Sequence, residues 1–461
     1  GESALDAAVT GQNNTAIGKQ ALTENTTGYN NASVGAFSLL SNTTGNFNTA
    51  VGKDALAANT TASNCTAVGH DALTANTTGG SNTAVGDICL DANTTGSNNT
   101  AMGVRALNTN STGASNTGLG LQALRYNTTG SYLTAVGSLA LRDNTTANNN
   151  TAVGYAAMQS NTTGTENTAV GKSALSAGTT GSYNTAVGTG AMQSGTVTGN
   201  KNDAFGFNAG HNISTGTSNT CLGTQTGDSI TTGNYNVAIG VAALQVINTG
   251  SQNVAIGYRA GYNYSNNSTA ITAVGYDALF SNTTGALNTA VGYSAGRNLT
   301  TGYYNTAVGY SALFTSTDGW GNTCVGRDTG YAITSAWGCT LVGHQAGDSI
   351  TTGDQNTAFG HISLTTCTTG GSNTAIGREA LRFTTGDGNT ACGRAAGEDD
   401  TSGGNNVCIG QNAGRSGSPS GAIGSTSNTI CLGNNSITDL FCADTSISSS
   451  DSRDKTDVTN F

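Results

Sequence analysis

Tyr258, Tyr276, Tyr293 and Tyr310 recur at intervals of seventeen or eighteen residues. Side chains repeated at such a period stack in a folded repeat, and a row of tyrosines is a surface that can hold sugar rings. Cross-strand packing of like rings gives the same pattern. The ten cysteines form no C-x-x-C pair. Cys221, Cys324, Cys408 and Cys431 stand at one alanine position of a repeat and Cys89 at another. Their spacing therefore suits small buried thiols, as expected of a chain assembled in a reducing cytosol, rather than a zinc or disulfide framework. His70, His211, His344 and His361 are scattered through positions expected to face solvent, and neither a metal set nor a nucleophile–histidine pair is expected among them. Glycine pairs such as Gly118 and Gly120 lack the strand–helix context of a phosphate loop. No cofactor, no metal and no paired acid/base constellation is expected in this part of the chain.

The elements that must position these residues come from one seventeen-residue stretch, clearest at Asn48 to Asn64, which reads N-T-A-V-G-x-x-A-L-x-x-N-T-T-G-x-x. A fixed short period over most of a chain marks a solenoid. Numbering asparagine 1 and the first glycine 5, column 4 is apolar in every unit (Val34, Val51, Val68), which reads as packed interior. Thr-Ala-Val suits a short strand with alternating faces. Seventeen residues cannot hold a helix plus a strand, so two short strands and tight turns are expected. The predicted fold is all-β, a parallel β-roll or β-helix solenoid of 17-residue coils, spanning residues 14–433 after an N-terminal connection over 1–13 and before a tail over 434–461. Coils about 4.8 Å apart would give a rod near ~115 Å.

Two further columns describe the interior. Column 9 is leucine or methionine in the first eleven units, among them Leu39, Leu56 and Leu73, with asparagine at column 12. Where column 9 becomes glycine, as at Gly210, Gly227 and Gly347, column 12 becomes Ile213, Ile230 and Ile350. These are two ways of filling one cross-section, since an unfilled core costs several kcal/mol. Column 1 is asparagine in most units, which is consistent with an amide ladder and with tolerance of a left-handed turn. Column 3 is alanine almost throughout, and alternation from column 4 points Ala50, Ala67 and Ala84 outward. That gives a small-residue ribbon too apolar to stay bare, and so an oligomer interface. The Asn-Thr-Thr-Gly segments match the N-x-[ST] rule, but glycans at every coil would clash, so they are read as turns. Local bulges are expected at the insertions near 195–199 and 264–272.

Composition excludes several classes. With 16 Lys+Arg and a net charge of −10 the chain has no basic footprint for nucleic acid. No apolar run approaches the ~20 residues of a membrane span, and no membrane insertion is expected. The first residues show no signal peptide, and the missing initiator methionine suggests a start inside a longer chain.

After Gly433 the repeat fades into Ser450, Asp451, Arg453, Lys455 and Val458. This stretch resembles the start of the intramolecular chaperone domain at the C-termini of phage tail spikes and fibres, endosialidases included. The resemblance implies trimerisation followed by self-cleavage between Ser450 and Asp451, with Ser450 as nucleophile and Lys455 as its activating base. The repeats look like those of phage fibres that carry this tail, and like a longer version of the N-S-x-A-I-G coils of trimeric autotransporter adhesin heads. A final unit from Gly410 to Gly424 has the fourteen-residue length of those heads, although the anchor and stalk heptads of an adhesin are not seen. The implied protein is a structural, homotrimeric virion fibre at the virion surface. Its partners would be copies of itself, other virion proteins and a host-surface polysaccharide. A bacterial cell-surface adhesin and an ice-binding solenoid are the alternatives. The ice-binding reading needs a flat threonine plane, and Thr26-Thr27 turns with alternating faces make a poor one. A fibre-borne glycosidase would need facing carboxylates, and here Asp and Glu are scattered.

Overall fold

Thr-Ala-Val favours extended backbone because two of its three residues are β-branched. The computed structural model describes residues 1–7, 10–264, 270–418 and 421–438, and in it each such tripeptide is a three-residue strand. Two compact units divide the chain, residues 1–338 and 339–461. The first carries β1 (Thr15–Ile17) to β19 (Thr323–Val325), the second β20 (Thr340–Val342) to β25 (Ile430–Leu432). Within each unit successive strands pair in parallel. Val51 sits beside Val34 on one side and Val68 on the other, as closed circuits require. The described residues contain no helix. The fold is an all-β parallel solenoid of 17-residue coils.

Each coil has one strand rather than the expected two. The opposite wall, columns 7 to 14, is hydrogen-bonded between coils but is not extended. Asp54 and Leu56 take φ of 57° and 52°, so successive amides point to opposite neighbours. The Asp54 amide donates to the Ala36 carbonyl at 3.0 Å, and that of Leu56 to Ala72 at 3.0 Å. A left-handed leucine is strained by roughly 1–2 kcal/mol. The strain is offset because this backbone aims the side chain into the core, where Leu39, Leu56 and Leu73 are fully buried; such burial contributes about 1.5–3 kcal/mol each.

The faces are the reverse of the expectation. Ala50, Ala67 and Ala84 are fully buried, so they line the interior and form no interface. Val51 is 39% exposed, and Val34 and Val68 are half-buried on the outside. The reason is steric. Column 9 side chains cross the coil and leave the strand wall room for a methyl only. At Gly118, which lacks one, a Cβ would meet the Leu107 side chain at 3.4 Å. Alternation was sound; which face was interior depended on what stood opposite.

The same geometry bears out the exchange of columns 9 and 12 and adds column 3 to it. A Cβ on Gly210 would stand 2.8 Å from Ile213 Cδ1. On Gly347 it would stand 2.7 Å from Ile350 Cδ1 and 2.9 Å from Leu341 Cδ1. Cys221, Cys324, Leu341 and Cys408, four of the large residues of column 3, each share a coil with a glycine at column 9; Cys431, in the last unit, does not. Three columns thus share one volume.

Asparagines make two ladders. At column 12, Asn59 Nδ2 donates to Asn42 Oδ1 at 2.8 Å and to the Ala62 carbonyl at 3.1 Å. At column 1 the amide oxygen receives the next coil's backbone, as when Cys65 N donates to Asn48 Oδ1 at 2.9 Å. The column 12 ladder was not anticipated.

Two boundaries change. The described residues 1–7 and 10–13 are stacked on the first coil rather than forming a free connection: Leu5 N donates to Ala21 O at 3.0 Å and Thr10 N to Thr26 O at 2.8 Å. No fourteen-residue coil closes at Gly424. β24 (Val407–Ile409) pairs Val407 with Ile430 of β25, and Ile423 is buried instead beside Gly414. Strand register continues past both insertions, Thr185 pairing with Asp203 and Val254 with Thr272, and residues 265–269 of the second insertion lie outside the described residues.

Candidate functional site

Column 6 follows the glycine that ends each strand, so its side chains leave the outer corner of the coil. The four tyrosines sit there in successive coils of the first unit. Their ring centroids are 5.0, 5.0 and 5.1 Å apart and their planes 19°, 6° and 7° from parallel. Each ring is between 42% and 51% exposed. Because neighbours cover one another's faces, what the ladder shows to solvent is ring edges.

Column 10 makes a second rail that the sequence reading missed. Tyr262 stacks on Phe280 at 5.2 Å and Phe314 on Tyr331 at 5.1 Å. Between these pairs Arg297 is inserted, its guanidinium 5.1 Å from the Phe280 ring and 6.0 Å from that of Phe314. The missed signal was the same seventeen-residue offset, read at a column that looked variable.

The space between the rails is an open groove of about 430 Å³. Its floor comes from column 7, where Ser294 and Ser311 continue a line begun by Arg259 and Asp277. The Asp277 side chain is only 4% exposed. Arg259 donates Nε and Nη2 to its two oxygens at 2.9 and 2.8 Å, and Arg297 Nε lies 3.3 Å away. Hydrogen bonding to the Asp277 carboxylate raises the pKa of the Arg259 guanidinium above the ordinary arginine value. One carboxylate faces two guanidinium groups, which leaves the groove an excess of one positive charge in an acidic chain.

A third ladder, Tyr303, Trp320 and Trp337, runs along column 16 with centroids 5.8 and 5.0 Å apart. Nearly half of the chain's aromatic residues, both tryptophans included, fall between 258 and 337. The aromatic surface is a local feature laid on the repeat.

Elsewhere the structure separates candidates. Cys221 is fully buried, and burial pushes its thiol up to about 12; Cys89 behaves alike. Cys392, at column 4, is exposed. In the first unit His70 lies 3.3 Å from Asp71 and 3.0 Å from Asp87. In the second, His344 and His361 stack at 5.1 Å. Asp54, His70 and Asp71 are grouped closely enough to share an ion, but Lys53 pairs with Asp54 and both ring nitrogens of His70 already face carboxylates. Ser450, Asp451 and Lys455 lie outside the described residues. No helix among the described residues is long and apolar enough to cross a membrane. No family model matches the chain, and no curated protein matches it either.

Proposed function

We propose that the chain is one protomer of a homotrimeric virion fibre, which extends from the particle and contacts a host-surface polysaccharide. The observation that carries this reading is the outer face of the strands. Column 2 and column 4 side chains stand there in register, threonine beside valine or isoleucine, coil after coil. Val51, Val170, Leu222 and Ile256 of the first unit and Phe359, Ile376 and Ile409 of the second are each more than a third exposed. A sheet face this apolar and this regular is seldom left to water. Flat identical faces on identical chains associate most simply around a closed axis. The interface proposed here is therefore the valine face, not the alanine column first expected for it. The resemblance of the repeats to those of phage fibres supports the same assembly.

The test is the solution mass of the full chain by sedimentation equilibrium, for wild type and for Val136→Lys/Val153→Lys. A trimer that the two lysines convert into folded monomers supports the reading. A wild-type monomer, or a trimer indifferent to charges on this face, refutes it.

A further inference from the structure

We infer that the groove between the tyrosine and arginine rails binds an acidic polysaccharide lying along the solenoid axis. This deepens the polysaccharide contact proposed above and rests on it for the class of polymer, but not on the oligomeric state.

The argument begins with what the rings can offer. A neutral sugar bound by aromatic residues lays its C–H face on a ring face. In the ladder those faces are occupied, since Tyr276 and Tyr293 lie 5.0 Å apart and 6° from parallel. Ring edges remain, and the edge of an aromatic ring is the electropositive part of its quadrupole. Across the groove the second rail presents Arg297, set between Phe280 and Phe314. Both walls therefore favour negative charge.

The floor agrees. Asp277 is buried and committed to Arg259 through two bonds and to Arg297 through one. The carboxylate fixes both guanidinium groups in place, about a third exposed, while neutralising only one of them. A guanidinium pre-set in this way is suited to a carboxylate or sulfate, which it meets in a planar fork. Ser294 and Ser311, both nearly buried, carry the uncharged floor into the next two coils. The groove runs across coils that repeat at strand spacing, so successive units of a linear polymer would each meet a tyrosine edge, while the arginines are confined to part of its length.

The experiment uses the full chain and fluorescently labelled oligomers of three polymers. Oligogalacturonate carries carboxylates, dextran sulfate carries sulfates, and dextran carries neither. Anisotropy titration at moderate salt is expected to show one or both acidic oligomers binding and dextran failing to bind. Arg297→Gln should weaken that binding about tenfold, the loss of one charge-assisted contact. Tyr293→Phe should weaken it less, and Arg142→Gln, on a distant coil, should leave it unchanged. Should Arg297→Gln melt early, Ser294→Ala and Tyr293→Phe keep the ion pairs and carry the test. Dextran binding as tightly as the acids would overturn the acidic class and leave polysaccharide contact standing. No binding by any of the three would overturn both. Acidic binding that ignores Arg297→Gln, or a single-stranded DNA oligomer binding more tightly than the polysaccharides, would overturn the site.

Discussion

Gly52 lies beneath Gly69 with φ of 138°, so close that a Cβ on Gly52 would stand 2.2 Å from the Gly69 carbonyl oxygen. The same closeness recurs at Gly69 and Gly86. This corner ends every strand and sets the distance between coils, because backbone rather than side chain fills the contact.

Gly69→Ala should therefore lose about 2–5 kcal/mol, combining a disfavoured backbone region with a contact that only backbone movement relieves. Hydrogen exchange of the coils on either side would show the loss as local opening, since a solenoid transmits stability between neighbours. An exchange pattern like that of wild type would refute the role assigned to this glycine.

Asn93 carries three bonds of the column 12 ladder. Its Nδ2 donates to Asn76 Oδ1 at 2.8 Å and to Gly96 O at 2.9 Å, and its Oδ1 receives Asn110 Nδ2 at 2.8 Å. Asn93→Ala should cost about 2–3 kcal/mol, because it strands a buried acceptor on one neighbour and removes a partner from the other. Urea unfolding measures it, and a cost below about 0.5 kcal/mol would mean the ladder is ornamental.

The shared volume of columns 9 and 12 predicts a coupled pair. Gly210→Leu alone meets Ile213 Cδ1 and should destabilise by about 1–3 kcal/mol. Ile213→Ala alone opens a cavity and should cost about 2–5 kcal/mol. The double variant should be more stable than the sum of the two predicts by at least ~1 kcal/mol. Simple additivity in thermal unfolding would show that the two columns do not compete for space.

Asp400 occupies a column 12 position and is fully buried, accepting from Gly403 N at 3.0 Å and Asn406 Nδ2 at 3.1 Å. Burial raises its carboxyl pKa above the ordinary 3.8 despite those two bonds. A raised folded-state value means that the carboxylate destabilises the fold above it, and that this penalty disappears as pH falls through it towards 3.8. Asp400→Asn restores the residue found in this column elsewhere. It should stabilise the second unit at pH 7 by about 1 kcal/mol, with the advantage shrinking on acidification. An advantage that grew at low pH would contradict the burial argument.

Legible in the residues alone were the seventeen-residue circuit, the parallel stacking of Val34, Val51 and Val68, the burial of Leu39, Leu56 and Leu73, the exchange of leucine for glycine at column 9 and the tyrosine ladder. A period and a covariation between repeats carry that information without any knowledge of direction. Which side of the strand faces inward was left to the tertiary structure, since Ala50 and Val51 differ by one residue and alternation is symmetric. Only the left-handed turn at Leu56 sends the leucine across the coil and leaves the strand wall room for a methyl. The groove was hidden for a related reason. Arg259, Asp277 and Arg297 stand in different columns of different coils, and only the winding of the chain brings one buried carboxylate between two guanidinium groups.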